Sequence, residues 1–431
     1  MTMELKSSNI VLFGAGRNGR QILRELLANG IKPAYLVDNN PNIKGIEYDG
    51  ITEKFTFSVM MPEVLCDEDK RVLKVVVTPE NISQREEITT QMRMWGLVDC
   101  LYKLNNDDIK DNTELPVSIR LEASTLCQLD CPACGMRKDN YGALGAGYLK
   151  LTDFKQFVNR HAYIRNIELA NFGEIFLNPD LKSIIEYANE WGVYLTANSG
   201  VNLNNVSEDV LDCIVRCGNF KEMTISIDGV TQEEYSLYRR NGNYDTVIEN
   251  IRKINTYKER YATEHPRLKW QYVIREHNED GVPRAKIHAQ ELNMEISFKP
   301  TWEHDYKPKK LEMLKAETGL KCFTRKECEE ESLDSPEALS NYMLCHQLWD
   351  APQINWDGRL LGCCSVRTSD FGVNVFDVGL EYAINTESYK CAKQLVQGKC
   401  LKQLEDYNIC IPCLRCSTYI SMLNKNSFCS R

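Results

Sequence analysis

The chain has 431 residues, of which 43% are hydrophobic and 26% are charged, and its formal net charge is −9. These proportions are typical of a globular protein with well-formed cores, and the length predicts two or three domains. The acidic balance disfavours non-specific binding to nucleic acids or anionic membranes, because there is no basic surplus to neutralise phosphates.

The sequence also restricts the expected compartment. Its first residues, MTMELKSSNIVLFGAG, lack the apolar core of a secretory signal, and no later segment approaches the ~20 apolar residues of a membrane span. We therefore expect a cytoplasmic protein. In that reducing compartment, metal clusters explain the 18 cysteines better than disulfides do.

The N-terminal residues 1–104 predict a Rossmann-like domain. An apolar strand leads into Gly14, Gly16 and Gly19, which have the spacing G-x-G-x-x-G and open a helix with one apolar face. A second strand ends at Asp38, where Rossmann units place an acid that binds a ribose. Because glycines at a helix N-terminus let the backbone approach a pyrophosphate, these four residues form a candidate nucleotide site.

Residues 9–52 resemble the N-terminal nucleotide-sugar-binding domain of bacterial sugar O-acyltransferases more than a classical dehydrogenase. The resemblance implies a nucleotide or nucleotide-sugar ligand. The alternative is an ancestral fold that now serves docking or dimerisation. A polar, acidic segment that closes with a proline then predicts a linker over residues 105–116.

Residues 117–303 alternate strand and helix patterns, as a parallel α/β fold requires. In such folds the chemistry gathers at the C-terminal ends of the strands. The six predicted strands span residues 118–123, 164–170, 193–198, 222–227, 268–274 and 295–299.

The first of these strands leads into a loop that contains Cys127, Cys131 and Cys134, spaced C-x-x-x-C-x-x-C. Three thiolates on an iron–sulfur or zinc site leave one coordination position open, and an open position favours chemistry over a structural role. The alternative is a structural zinc knuckle that uses Cys131 and Cys134.

The C-x-x-x-C-x-x-C spacing resembles the signature of the radical S-adenosylmethionine (radical SAM) enzymes. The resemblance implies a partial (β/α)6 TIM-like barrel in which the three cysteines hold a [4Fe–4S] cluster. The fourth iron binds the amine and carboxylate of S-adenosylmethionine, and one electron from a flavodoxin- or ferredoxin-type donor releases a 5′-deoxyadenosyl radical. The sequence departs from the family at Ala133, where an aromatic residue near the adenine is usual.

Further segments resemble the cofactor-binding motifs of that family. Gly173 and Glu174 match the G-G-E-P segment that binds the methionine amine of the cofactor, although Phe172 and Ile175 replace a glycine and a proline. Asn198 lies in a turn that resembles the T-N-G turn after the third strand. The resemblance implies that these residues contact the cofactor.

Ser226 and Asp228 resemble the S-x-D-G motif of the fourth strand, whose polar side chains reach the ribose and carboxylate of the cofactor. Tyr238 and Arg239 stand where many members of the family have the same pair. His277, after the fifth strand, is interpreted as a structural or cofactor-contacting residue, with a general base as the alternative.

Residues 304–431 pass from a charged stretch to cysteine-rich loops and resemble the SPASM-type extension of radical SAM enzymes. In that extension, cysteines before and after a small hairpin join a later C-x-x-C pair around an auxiliary [4Fe–4S] cluster. The resemblance implies the ligands Cys345, Cys363, Cys413 and Cys416.

Other cysteines leave alternatives open. Cys364 and Cys410 neighbour the implied ligands and could replace them, and a zinc site with the same four cysteines is a further alternative. We expect one auxiliary cluster rather than two, because the even spacing of Cys410, Cys413 and Cys416 does not match the seven-cysteine pattern of two-cluster members. Among the cysteines outside these sets, Cys213 and Cys217 are interpreted as small buried residues on a helix, and Cys391, Cys400 and Cys429 are left over near the proposed auxiliary site.

Together these features predict a radical SAM enzyme that acts on a sugar or nucleotide-sugar by epimerisation, dehydrogenation or deoxygenation, since the N-terminal domain resembles a nucleotide-sugar module. A radical SAM enzyme that matures a peptide or protein is the second hypothesis. The third is a non-catalytic iron–sulfur or zinc protein, which would not need the Gly173–Glu174 segment.

Overall fold

A computed structural model describes residues 6–49, 54–105, 108–109, 115–136, 141–328, 345–364, 367–397 and 411–416. Most of the predicted linker lies outside these residues. The chain forms two compact units, of which the first comprises Met1–Leu115, Thr152–Arg165 and Glu186–Tyr194, and the second comprises Pro116–Leu151, Asn166–Ile185 and Leu195–Arg431. Within the described part of the chain, no helix is both long and apolar enough to cross a membrane.

The first unit is built on parallel strands. In chain order its strands are β1 (Lys6–Ser7), β2 (Ile10–Phe13), β3 (Ile31–Lys32), β4 (Tyr35–Val37), β5 (Gly45–Asp49), β6 (Lys54–Met60) and β7 (Lys74–Val77). Five of them form a sheet in the order β5-β6-β4-β2-β7, in which β5 is antiparallel to β6 and the other pairs are parallel. β1 and β3 pair separately.

Two helices accompany this sheet, α1 (Arg17–Ala28) and α2 (Ile82–Met94). β2 is buried over its whole length, as expected for a central parallel strand. Gly30 follows α1 with φ of 76°, the left-handed conformation that commonly terminates a helix. Val11, Phe13 and Met92 belong to the core between the sheet and α2.

The second unit contains an eight-stranded sheet. Its strands are β8 (Ser118–Leu121), β9 (Asn166–Glu168), β10 (Tyr194–Val201), β11 (Phe220–Ser226), β12 (Arg267–Val273), β13 (Glu295–Lys299), β14 (Gln353–Ile354) and β15 (Leu360–Gly362). Their order is β13-β12-β11-β10-β9-β8-β14-β15, so β8 to β13 are neighbours in chain order. All six strands predicted for the central domain are thus confirmed, within a few residues of the expected bounds.

Helices separate these strands along the chain, as in a β/α barrel. They are α3 (Leu151–Arg160), α4 (Leu181–Glu190), α5 (Glu208–Cys217), α6 (Gln232–Tyr238), α7 (Tyr244–Tyr261) and α8 (Val282–Glu291), followed by α9 (Leu311–Thr318), α10 (Gln347–Asp350), α11 (Val375–Val378), α12 (Leu380–Ala383) and α13 (Glu387–Val396).

The two faces of the large sheet differ in chemistry. Neighbouring residues in register share a face of a parallel sheet. On one face the pairs are apolar and buried, for example Ile119 with Ile167. On the other face they are polar, and two such pairs are Arg120 with Glu168 and Ser226 with Gln271.

The predicted C-terminal hairpin is confirmed, and it extends the barrel sheet. β14 is antiparallel to β15 and parallel to β8, with Gln353 opposite Arg120. In the turn, Gly358 N donates to Asn355 O at 3.0 Å, and Gly358 has φ of 90°. The hairpin is the outermost part of the sheet next to β8. Cys363, which directly follows β15, therefore lies at the edge of the sheet, two strands from β8.

One cysteine pair departs from the expectation that metal clusters explain the cysteines better than disulfides do. Cys322 and Cys328 are bonded, with Cα atoms 5.4 Å apart. They meet because the segment between them turns back along Thr301, whose N–H donates to Phe323 O at 2.9 Å and whose carbonyl accepts from Arg325 N at 2.7 Å.

Candidate iron–sulfur and cofactor site

The three cysteines of the C-x-x-x-C-x-x-C loop lie together just beyond β8. Cys127 and Cys134 pack against a buried cluster of Leu129, Cys131 and Tyr238. Among the described residues, no three cysteine, histidine or carboxylate side chains converge on a single metal-ion position. A [4Fe–4S] cluster makes a different demand, because each thiolate binds an iron of its own.

Each of these three sulfurs has an N–H donor from a different part of the second unit. Hydrogen bonds to sulfur stabilise thiolate ligands and help to set the potential of an iron–sulfur cluster. The donor and sulfur pairs are Met136 N with Cys134 Sγ at 3.4 Å, Asn202 Nδ2 with Cys127 Sγ at 3.7 Å, and Arg239 Nη1 with Cys131 Sγ at 3.9 Å.

Burial makes the thiols of Cys127 and Cys131 hard to ionise without a cation. It raises the pKa of Cys127 to about 12. It also raises the pKa of Cys131, although the Arg239 guanidinium opposes this effect. Metal binding requires thiolates and supplies the missing positive charge. One buried and two half-buried thiols with N–H donors at their sulfurs therefore fit an iron–sulfur cluster.

The segment predicted to bind the methionine end of the cofactor lies against the cysteine loop. The buried Glu122 carboxylate accepts a hydrogen bond from Gly173 N at 3.3 Å. Gly173 approaches the loop so closely that an added Cβ would lie 2.2 Å from Ser124 O. Glu174 N donates to Leu126 O at 2.8 Å. This segment and the loop are consequently held in one arrangement.

The Glu174 carboxylate is buried and bonded to protein. Its Oε2 accepts from Asn202 N at 2.6 Å, and its Oε1 accepts from Phe176 N at 3.4 Å. Burial raises the pKa of Glu174 to about 7. The carboxylate thus connects the predicted cofactor segment to Asn202, the same residue whose side chain donates to Cys127.

The other predicted cofactor residues lie on neighbouring strands, Ser226 at the end of β11 and Asn198 in the middle of β10, where the sequence predicted a turn after the strand. Asn198 has an exposed side chain, and its N–H donates to Glu168 Oε1 at 2.7 Å. Ser226 Oγ accepts from Gln271 Nε2 at 3.4 Å. Gly200 makes room for that hydroxyl, because a Cβ there would lie 2.5 Å from Ser226 Oγ.

Asp228 is fully buried, and both of its oxygens accept hydrogen bonds from protein groups. Arg239 Nε donates to Oδ2 at 2.7 Å, and Val273 N donates to Oδ1 at 2.8 Å. His277 nearby has a buried Nε2 with no hydrogen-bond partner among the described residues, and burial lowers its pKa. The contact of Asp228 with the cofactor carboxylate stays a prediction.

Sequence reasoning missed three residues of this site. They are Glu122, Asn202 and Arg275, whose guanidinium carbon lies 3.5 Å from the centroid of the Tyr238 ring. A lone acid at the end of an apolar strand could have indicated Glu122. The other two carry no local signal, because their partners lie on other strands and loops.

The four cysteines predicted for the auxiliary cluster lie close together. A hydrogen bond with Cys363 lowers the pKa of Cys345, against burial and the charges of Cys413 and Cys416. Burial, followed by the charges of Cys363 and Cys416, raises the pKa of Cys413 to about 12. These mutual effects indicate that the four side chains lie near one another.

The remaining cysteines are placed as follows. Cys364 is exposed, whereas Cys391 is buried and its sulfur lies 3.9 Å from Glu387 Oε1. Cys213 and Cys217 are buried on α5, with sulfurs 3.7 Å apart. Cys400, Cys410 and Cys429 lie outside the described residues.

The four residues of the N-terminal candidate site, Gly14, Gly16, Gly19 and Asp38, line one cavity of about 650 Å³. Asp38 Oδ2 accepts from Ala15 N at 2.6 Å, so the acid holds the glycine loop. A Cβ at Gly19 would lie 1.9 Å from Gly14 O, and therefore only glycine allows this approach of helix and loop.

No protein-family model and no curated protein matches the sequence. Solved structures do share its fold. SuiB from Streptococcus suis, bound to S-adenosylmethionine, matches with a TM-score of 0.51 and 12% identity over 81% of this chain and 88% of that chain.

Two further structures of the same protein are similar. A second structure of SuiB has a TM-score of 0.50 and 13% identity over 76% of this chain and 86% of that chain. SuiB bound to its precursor peptide SuiA has a TM-score of 0.49 and 13% identity over 83% and 92% of the two chains. The chain thus has an α/β fold, built on parallel sheets, that is similar to the fold of SuiB.

Proposed function

We propose that this chain is a radical SAM enzyme, in which Cys127, Cys131 and Cys134 hold a [4Fe–4S] cluster. The observation that supports the proposal is the clustering of these three thiols, directly after β8 in a fold that a structure bound to S-adenosylmethionine shares. When bound, the cluster and S-adenosylmethionine supply a carbon radical that can take hydrogen from an unactivated C–H bond.

The residues of the chain position the groups and exclude water. The backbone of Gly173 and Glu174 lies against the cysteine loop and binds the methionine end of the cofactor. Glu122 fixes that backbone through Gly173 N. Ser226, at the end of β11, and Asn198, within β10, contact the polar groups of the cofactor.

An auxiliary [4Fe–4S] cluster belongs to the same proposal. Its ligands are Cys345, Cys363, Cys413 and Cys416, which influence one another electrostatically. A cluster with four thiolate ligands exchanges electrons with the substrate radical and does not bind substrate directly. We expect the cluster at Cys127, Cys131 and Cys134 to be reduced by a flavodoxin- or ferredoxin-type protein in the cytoplasm.

The substrate proposed is a sugar or nucleotide-sugar. The interior of a closed β/α barrel is packed with branched apolar residues, whereas one face of this sheet presents Arg120, Glu168 and Gln271 in register with other polar residues. These side chains are partly buried and bonded to protein groups, for example Glu168 to Asn198 N and Gln271 to Ser226. A ligand rich in hydroxyl groups can exchange hydrogen bonds with such a polar face. The polar cavity of the N-terminal unit supports a nucleotide-sugar as well.

The first experiment is anaerobic reconstitution with iron and sulfide, followed by S-adenosylmethionine and dithionite. The wild type is expected to form 5′-deoxyadenosine, measured by mass spectrometry, and Cys131→Ala is expected to form none. Cys213→Ala, which removes a buried cysteine elsewhere in the second unit, serves as the matched control. A wild type that binds about eight irons per chain but neither binds nor cleaves S-adenosylmethionine would contradict the proposal.

A second experiment separates the substrate classes. Sugar nucleotides and peptides are added in parallel, and substrate-dependent formation of 5′-deoxyadenosine is measured. Stimulation by peptides alone would replace the sugar proposal with peptide maturation. Glu174→Ala distinguishes an enzyme from an electron carrier, since an enzyme loses cofactor cleavage and a carrier keeps its redox behaviour.

A further inference from the structure

The Arg239 guanidinium lies between a buried carboxylate and a cysteine sulfur. Its Nε donates to Asp228 Oδ2 at 2.7 Å, and its Nη1 lies 3.9 Å from Cys131 Sγ. The side chains of Arg239 and Asp228 are 16% and 0% exposed. A charged donor acts more strongly on its acceptor in such a poorly solvated place than in water.

The backbone around Arg239 keeps this contact in place. Arg239 follows the last residue of α6, and its N–H donates to Tyr235 O at 2.8 Å. The next residue, Arg240, accepts a hydrogen bond from Asp130 N at 3.1 Å. Asp130 directly precedes Cys131. The end of α6 and the cysteine loop are therefore linked one residue away from the guanidinium and the sulfur.

The hydrogen bonds at the other two sulfurs come from neutral groups. Cys134 receives the backbone N–H of Met136, and Cys127 receives the side-chain amide of Asn202. The contact at Cys131 differs because it brings a full positive charge. This charge is partly balanced by Asp228, so replacing either member of the pair changes the net charge beside the sulfur.

We propose that Arg239, oriented by Asp228, is a positioning residue that stabilises the reduced state of the [4Fe–4S] cluster at Cys131 and thereby raises its reduction potential. This inference rests on the radical SAM function proposed above. Reduction adds one electron, and hence one negative charge, to the cluster. Hydrogen bonds to the sulfurs and the local charge are among the factors that set the potential of such clusters.

Substitutions of the two charged residues are expected to shift the reduction potential of the cluster in opposite directions. Arg239→Gln removes the cation and leaves Asp228 unbalanced, so the potential shifts to a more negative value. Asp228→Asn leaves the cation unbalanced, so the potential shifts to a more positive value. The reduction potential of the double variant lies between those of the two single variants. Arg239→Lys keeps the charge without the fixed geometry of the guanidinium and stays closer to the wild type than Arg239→Gln does.

The potentials are measured by redox titration of the reconstituted protein, monitored by electron paramagnetic resonance. A variant with Cys127, Cys131 and Cys134 all replaced by Ala records the signal of the auxiliary cluster, which is then subtracted. Arg284→Gln is the matched control, because Arg284 forms an ion pair with Glu234 at 2.7 Å and has no sulfur contact among the described residues. Its potential is expected to equal that of the wild type.

The outcomes separate this inference from the proposed function. Unchanged potentials in both Arg239→Gln and Asp228→Asn overturn the role of Arg239 and leave the proposed function intact. Failure of the wild type to assemble a four-iron cluster on the three cysteines overturns both. If Arg239→Gln does not hold the cluster, the opposite shift expected for Asp228→Asn decides the question.

Discussion

The Glu122 carboxylate accepts a hydrogen bond from the backbone N–H of Gly173, which lies 51 residues further along the chain. This contact joins the end of β8, from which the cysteine loop starts, to the segment after β9. It also holds a carboxylate that is fully buried. The arrangement of the loop and of the predicted cofactor segment therefore depends on one acidic side chain outside both motifs.

Glu122 makes the stability of the folded protein dependent on pH. Burial raises its pKa from 4.5 to about 8, although the N–H groups of Phe172 and Gly173 act in the opposite direction. Between these pH values the folded chain keeps a proton that the unfolded chain has lost, so the free energy of unfolding decreases as the pH rises from 4.5 to about 8.

In Glu122→Gln the side chain is neutral at every pH and keeps an acceptor oxygen. We expect a weaker decrease in the free energy of unfolding over this range, measured by urea denaturation of the metal-free protein. Glu276→Gln is the control, because Glu276 is exposed and pairs with Lys309 at the surface. An equal pH dependence in wild type and Glu122→Gln would show that Glu122 is ionised in the folded protein.

Gly173 tests the close contact of the cofactor segment with the cysteine loop. In Gly173→Ala the new Cβ would lie 2.2 Å from Ser124 O, a backbone atom that cannot move alone. We expect a loss of about 1–3 kcal/mol in the free energy of unfolding, together with loss of 5′-deoxyadenosine formation. At Gly16 an added Cβ meets nothing within 4 Å. Gly16→Ala is therefore expected to retain the free energy of unfolding and the formation of 5′-deoxyadenosine. Equal stability of the two variants would exclude the close contact.

The auxiliary site is tested by iron content. Wild-type protein with two four-iron clusters binds about eight irons per chain, and Cys345→Ala or Cys413→Ala is expected to bind about four. Cys391→Ala removes a buried cysteine outside the proposed ligand set and is expected to keep the full content. If the iron content of Cys345→Ala equals that of the wild type, another cysteine replaces Cys345 as a ligand.

The cavity of the N-terminal unit is tested with a nucleotide-sugar. In Gly16→Val the side chain enters the cavity, where the proposed pyrophosphate would approach the backbone, without meeting protein atoms at its Cβ. The affinity for UDP-glucose, measured by calorimetry, is expected to fall at least about tenfold, or about 1.4 kcal/mol. Thr90→Val, exposed on α2, is the control. No binding by the wild type would favour docking or dimerisation for this unit.

Local patterns were sufficient to predict much of the second unit. Apolar runs bounded by turn residues predict the strands β8 to β13, and the turn residues from Asn355 to Gly358 predict the hairpin. Each of these features depends on residues that are close in sequence. The antiparallel pair of β5 and β6 was not predicted, since which strands pair depends on contacts beyond any single run of residues.

The sequence by itself determined that three cysteines follow a strand of a parallel α/β fold, because their spacing and the preceding apolar strand are local properties. Only the tertiary structure decided that Arg239 lies against Cys131, that Asp228 faces Arg239, and that Cys322 bonds to Cys328. The direction of a buried side chain depends on the packing of residues far apart in the chain, and partners for buried charges must be found there.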